Sequence, residues 1–268
     1  MTDGLVRVER AENITTVTLE SLTMTPRFFQ ALGEAFGAVA ADREVRAVIV
    51  AASGKAFSYG LDLREAMAEQ GELIAGPTLA GPRTELLGLI RKWQASVSAV
   101  ADCPVPVIAA IHGWCIGGGL DLAAACDLRL CTSDARFSLR ETRLAMVADL
   151  GSLQRLPAIV GQGYLRELAF TGRDVGAPTA LARGLVNAVY ADRAALEAGA
   201  RALAAEIAAN PPLAVRGVKE VLAFGEGKAA REGLAYVAAW NAAFLASEDL
   251  GEAMGAFAEK RAPRFRGR

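Results

Sequence analysis

Asp121, Glu141 and Asp149 are three carboxylates that follow the glycine triplet Gly117–Gly119 of the stretch "IHGWCIGGGLDLAAACDLRL" (111–130). Carboxylates placed this way can take and return protons, provided something stabilises the charge the reacting molecule acquires. Two loops of like design offer that second half: "AFSYGLDL" (56–63) and "CIGGGLDL" (115–122). Each reads as strand, glycine, helix N-terminus. A helix N-terminus leaves backbone N–H groups unpaired and carries partial positive charge. Two such ends facing one spot would form an oxyanion hole. Glycine would let the reacting group touch the backbone. Either loop alone also suits a plain turn or close packing. Phosphate binding would ask for GxxxxGK[ST], or GxGxxG after a strand, and the sequence has neither.

Each carboxylate has a structural reading as well. Asp121 sits in the apolar run "GLDLAAACD", where a buried carboxylate is costly unless paired or functional. Near a helix start it would also complement the dipole. Glu141 follows "RFSLR". Asp149, inside "MVADLG", precedes an apolar helix and would make a good N-cap. Spacing leaves both kinds of reading open.

The elements that must hold these residues alternate. "GLVRVER" and "NITTVTLE" read as short strands. Residues 26–42 open on Pro26 and keep an apolar stripe at helical spacing. A buried strand is expected at 45–53 and a glycine-bounded loop at 54–60, with a helix starting at 61. Residues 71–83 are Gly/Pro punctuated and read as a mobile connection. A long helix (84–103), a second buried strand (105–113), a helix after the glycines, a strand at "DLRLC" and a short edge strand at "RFSL" complete the α/β part. From 150 onward the pattern is helical, broken by one strand at "LVNAVYA". We expect an α/β core over 1–200 and a helical segment over 201–268.

The chain has 268 residues, with 53% hydrophobic and 22% charged residues and a net charge of -1. That length suits one domain, burying roughly 75% of its unfolded surface. The charge balance disfavours nucleic acid as a partner. Cys103, Cys115, Cys126 and Cys131 show no CxxC pair and read as buried thiols. The single histidine, His112, excludes a His-rich metal site, so no metal is expected. No run approaches the ~18 apolar residues of a membrane helix. With no signal-peptide pattern, a cytoplasmic location is expected.

Together these segments resemble the crotonase (enoyl-CoA hydratase/isomerase) family. "AFSYGLDL" resembles its first oxyanion loop, "PVIAAIHGWCIGGGLDLAAACDLRL" its second, and "GRDVGAPTALARGLVNAV" (172–189) a later signature. The likeness extends to "FAEKRAPRF" (257–265). It implies a ββα spiral with a C-terminal helical trimerisation segment, and an acyl-CoA thioester as substrate. Coenzyme A would then be part of the substrate, with no separate cofactor. It implies an oxyanion hole from the N–H groups of Leu61 and Gly118. CoA contacts would come from Ser58, Gly60 and Asp62, and from Phe257 and Lys260 reaching a neighbour in a homotrimer or hexamer.

Within the family, two carboxylates flank the substrate of the hydratases and position a water; Asp121 and Glu141 match those places. The hydratases' glycine-rich "PGAGG"-like stretch is replaced by "ADLGSLQRLP", which carries Asp149. The trio, and "YVAAWNAAFLASEDL" (236–250), resemble the Δ3,5-Δ2,4-dienoyl-CoA isomerases. For that group the resemblance implies a Glu141–Asp149 proton shuttle between carbons 2 and 6, with Asp121 in support. The alternatives are a 2-enoyl-CoA hydratase using Asp121 and Glu141, and a non-catalytic acyl-CoA-binding protein. "VTLESLTMTPRFF" departs from the family: it is short and lacks the basic, Asn-containing loop that helps hold CoA. Tyr59 and Trp114 lie near the expected pocket, to shape it or simply to pack.

Overall fold

The computed structural model describes residues 4–76 and 79–268. Two strands open the chain, β1 (Val6–Ala11) and β2 (Ile14–Leu19), paired antiparallel. Helix α1 (Pro26–Ala41) follows; its first turn is fixed by Pro26 at N1 and by Thr25, whose hydroxyl accepts the Phe28 N–H at 3.1 Å. Then come β3 (Ala47–Ala52), α2 (Leu63–Ala75), α3 (Ala80–Ala101), β4 (Val107–Ile111) and β5 (Trp114–Ile116). Helix α4 (Gly118–Ala125) leads to β6 (Leu128–Thr132) and β7 (Arg136–Ser138). A 3-10 turn (Glu141–Leu144), α5 (Ser152–Val160), α6 (Gln162–Thr171), β8 (Val175–Gly176), α7 (Ala177–Ala182) and β9 (Ala188–Tyr190) follow. The chain closes with α8 (Arg193–Ala208), α9 (Pro212–Gly225), α10 (Ala230–Phe244) and α11 (Glu248–Glu259).

The larger sheet has the order β1-β2-β3-β4-β6-β9, parallel from β2 onward; the smaller has the order β5-β7-β8. Successive turns of chain leave a strand in the large sheet, then one in the small sheet, then a helix. This is the ββα spiral expected. The central strands are apolar throughout because both faces are covered. Val48, Val50, Ala109 and Ile111 face the main core with Phe28, Phe36 and Val97. Ala47, Ile49, Ile108 and Leu130 meet α8 through Leu196, Ala200 and Ala204. The boundary expected at residue 200 therefore falls within α8, whose apolar stripe is covered by the sheet.

Two local expectations are corrected. Residues 71–83 are not one loop: α2 runs to Ala75 and α3 begins at Ala80, with residues 77–78 outside the described ones. Pro82 is tolerated because the first helical turn has no N–H to lose. Gly71 leaves its mark as a kink, with Gln70 out of helical geometry (φ -127°). "RFSL" is not an edge either. β7 is the middle strand of the small sheet, paired with both β5 and β8.

Candidate active site

The first loop leaves the carboxyl end of β3, and the second follows β5, the short strand that continues from β4. The first loop is pinned to the segment after β2. Tyr59 N–H donates to the Leu22 carbonyl, Met24 N–H to Gly60, and Asp62 N–H to Met24, at 2.7–3.0 Å. In such an extended pairing the amides alternate in direction. Gly60 and Asp62 face Met24, so the Leu61 N–H points the other way.

In the second loop the Gly117 N–H donates to Ser138 of β7 at 3.0 Å, and the Gly117 carbonyl receives the N–H groups of Leu120 and Asp121. Gly118 is the first residue of α4, so its N–H has no partner within the helix. Gly117 has φ 52° and ψ -121°, a conformation open only to glycine. A Cβ there would also stand 3.1 Å from Glu141 Oε1. The loops touch: a Cβ on Gly60 would lie 3.2 Å from the Gly118 nitrogen. Among the described residues, neither the Leu61 nor the Gly118 N–H finds an acceptor.

The three carboxylates differ in state. Asp121 is 1% exposed, and its Oδ1 accepts the Ser152 N–H at 2.6 Å. Burial raises its pKa to about 6, opposed by the hydrogen bonding from Ser152. Glu141 opens the 3-10 turn against Gly117, and its Oε2 is buried with no hydrogen-bond partner. Burial pushes its pKa up to about 7, and the negative charges of Asp121 and Asp149 add to the shift. Asp149 is exposed at the surface, yet the protein packed around its carboxyl raises its pKa by partial burial. Its carboxylate has no side-chain partner among the described residues. It does not cap α5 as its sequence position suggested: Gly151 occupies the cap position, and Asp121 supplies the missing acceptor from another helix.

The other expected residues fall into two groups. The Ser58 hydroxyl is buried and accepts the Gly60 N–H at 3.1 Å; Asp62 caps α2 through the Glu65 N–H and also accepts the Thr23 hydroxyl. Both shape the first loop, and Gly60 lies in it against Gly118. Phe257 and Lys260 lie far along the chain at the end of α11; Phe257 is 85% exposed, and Lys260 ends the helix in left-handed geometry. Tyr59 is half-buried with Lys55 near its ring, while the Trp114 ring lies under Arg140 at 5.3 Å. Two wall residues have no chemical signature in the sequence. A Cβ on Gly118 would lie 3.0 Å from Met24 Sδ and 3.6 Å from Leu150 Cδ1, so both pack close to Gly118.

Two backbone N–H groups without acceptors among the described residues thus share a loop pair with Asp121 and Glu141, whose pKa values burial raises to about 6 and about 7. Residues 9–268 match the family model described as enoyl-CoA hydratase/isomerase. The chain is 44% identical to the mitochondrial Δ(3,5)-Δ(2,4)-dienoyl-CoA isomerase of Dictyostelium discoideum, covering 91% of this chain and 83% of that one. It is 42% identical to the peroxisomal enzyme of that name from Arabidopsis thaliana, covering 89% and 86%. Among solved structures, a putative enoyl-CoA hydratase from Streptomyces coelicolor A3(2) superposes with a TM-score of 0.90 at 32% identity, covering 98% of this chain and 94% of the other. The chain belongs to the enoyl-CoA hydratase/isomerase family.

Proposed function

We propose that the protein isomerises a 3,5-dienoyl-CoA to the 2,4-dienoyl-CoA, with Glu141 and Asp149 as its proton carriers. The observation that carries this reading is the bond between Asp121 and Ser152. It engages one oxygen of the carboxylate that a hydratase would use on water, whereas the side chains of Glu141 and Asp149 accept no hydrogen bond from another of the described residues. The relatives at about this level of identity carry the isomerase name.

In this reaction the thioester oxygen sits between the N–H groups of Leu61 and Gly118. One carboxylate removes a proton from carbon 2, and the resulting dienolate places its charge on that oxygen. The double bonds move from 3,5 to 2,4 as the other carboxylate delivers a proton to carbon 6. One proton leaves and one arrives, so the step needs no redox partner and no cofactor. A pKa near 7 lets Glu141 serve in either protonation state.

CoA contacts in the first loop run through the backbone at Gly60 and Leu61, with Ser58 and Asp62 fixing its shape. Phe257 and Lys260 would complete a neighbour's CoA site. Exposed apolar residues on α9–α11, among them Val218, Leu222, Leu234 and Met254, support a homotrimer or a pair of trimers. Among the described residues no helix is long and apolar enough to cross a membrane. The four unpaired buried thiols suit the reducing cytoplasm. The test is ultraviolet spectroscopy. The protein should convert a 3,5-dienoyl-CoA to the conjugated 2,4 product; rapid hydration of a 2-enoyl-CoA with the dienoyl thioester untouched would assign it to the hydratases.

A further inference from the structure

Among the described residues no side chain holds the Asp149 carboxylate, so its place is set by the backbone turn that carries it. That turn, 149–152, is bound on three sides. Gln94 Nε2 donates to the Asp149 carbonyl at 2.6 Å. Arg155 Nη1 donates to the next carbonyl, Leu150, at 3.2 Å, while its Nη2 donates to Ser98 Oγ at 3.0 Å. Asp121 receives the Ser152 N–H at 2.6 Å. Gly151, at φ 122°, lets the Arg155 guanidinium fold over the turn, into space a Cβ would fill.

Gln94 and Ser98 are four residues apart and therefore share one stripe of α3. The neighbouring stripe, Trp93, Val97 and Val100, is buried, and Trp93 stacks on Phe29 of α1 with centroids 5.0 Å apart. A helix anchored in the core thus presents a polar stripe that binds the Asp149 carbonyl directly through Gln94 and, through Ser98, holds the Arg155 guanidinium that binds the Leu150 carbonyl. Of these contacts, only Gln94 acts on the residue that bears the carboxylate. A carbonyl receiving a 2.6 Å amide bond has little freedom to rotate, and that rotation would swing the Asp149 side chain. We infer that Gln94 is a positioning residue, which holds Asp149 at the distance from the acyl chain that proton transfer requires. The inference rests on the isomerase reading and adds to it a residue outside the carboxylate set.

The experiment measures isomerisation of a 3,5-dienoyl-CoA by the parent, Gln94→Leu, Asp149→Asn and the double variant, with KM values and melting curves. Loss of an aligned reacting group costs on the order of 10²-fold in rate. Gln94→Leu should lose kcat by that order, with KM and melting temperature close to the parent's. The double variant should be no slower than Asp149→Asn alone, because both changes disable one function. Gln94→Lys, which can still donate to the carbonyl, should recover most of the rate. Should Gln94→Leu fail to fold, Gln94→Glu keeps the size and loses the donor above neutral pH. A parental kcat in Gln94→Leu, or losses that multiply in the double variant, would overturn the positioning role alone. A parent that does not isomerise the dienoyl thioester would overturn the isomerase reading along with it.

Discussion

The carboxylate of Asp121 and the backbone N–H of Ser152 meet at 2.6 Å, so a residue of α4 caps α5. The helix that offers the Gly118 N–H is thereby tied to the turn that carries Asp149. In the proposed reaction, charge stabilisation and proton transfer are thus joined through one hydrogen bond.

If Asp121 acts as an acceptor, Asp121→Asn should keep most of the isomerase activity, because its amide oxygen can still receive the Ser152 N–H. Asp121→Ala should lose about 1–2 kcal/mol of stability, as expected for a lost cap left unreplaced. Denaturant titration and steady-state rates check both. A loss of ~10²–10⁴-fold in the Asn variant would make Asp121 an acid or base.

Glu141→Gln should remove turnover by ~10²–10⁴-fold while making the protein more stable at pH 8. The Glu141 pKa is about 7 in the folded chain against an ordinary value of 4.5, so the folded state prefers its protonated form. That preference stabilises the parent fully below pH 4.5 and is lost as pH rises to 7. The Gln variant has nothing to lose, and its advantage at pH 8 should be on the order of 1–3 kcal/mol. Melting curves at pH 4.5 and 8 measure it. A variant that is less stable than the parent at pH 8 would contradict the buried, protonation-favouring site.

Gly118→Pro should fold, because proline suits the first position of a helix. It deletes the N–H proposed for the oxyanion, a loss worth ~10²–10³ in rate. Gly118→Ala is the control: it keeps the N–H and adds a Cβ 3.0 Å from Met24 Sδ, at the end of a flexible side chain. The Ala variant should retain much more activity than the Pro variant. Equal losses in the two would mean that crowding, and not the N–H, is what matters.

Features written locally were legible in the sequence. The apolar runs of β3 and β4, the Pro26 helix start and the two glycine loops follow from neighbours in the chain, whereas the carboxylate trio stood out only through the family resemblance. What escaped depends on partners distant in sequence. β5 is three residues long and follows a turn at Gly113, φ 59°, so no period announces it. The Asp121–Ser152 bond joins residues 31 apart, and the Gln94–Asp149 bond residues 55 apart. Asp149 looked like a cap because an aspartate just before an apolar helix usually is one. Here the acceptor comes from another helix, which leaves Asp149 unpaired.

Asp149→Asn tests the central claim, that Glu141 and Asp149 form the proton-carrying pair. The change keeps the shape of the side chain and removes its ability to carry a proton. Rates on a 3,5-dienoyl-CoA and a 2-enoyl-CoA should be measured for parent and variant, with a melting curve for each. The account predicts that the parent isomerises the dienoyl thioester, and that the variant loses this activity by ~10²–10⁴-fold with an unchanged melting temperature. A folded variant that isomerises at the parental rate would contradict it.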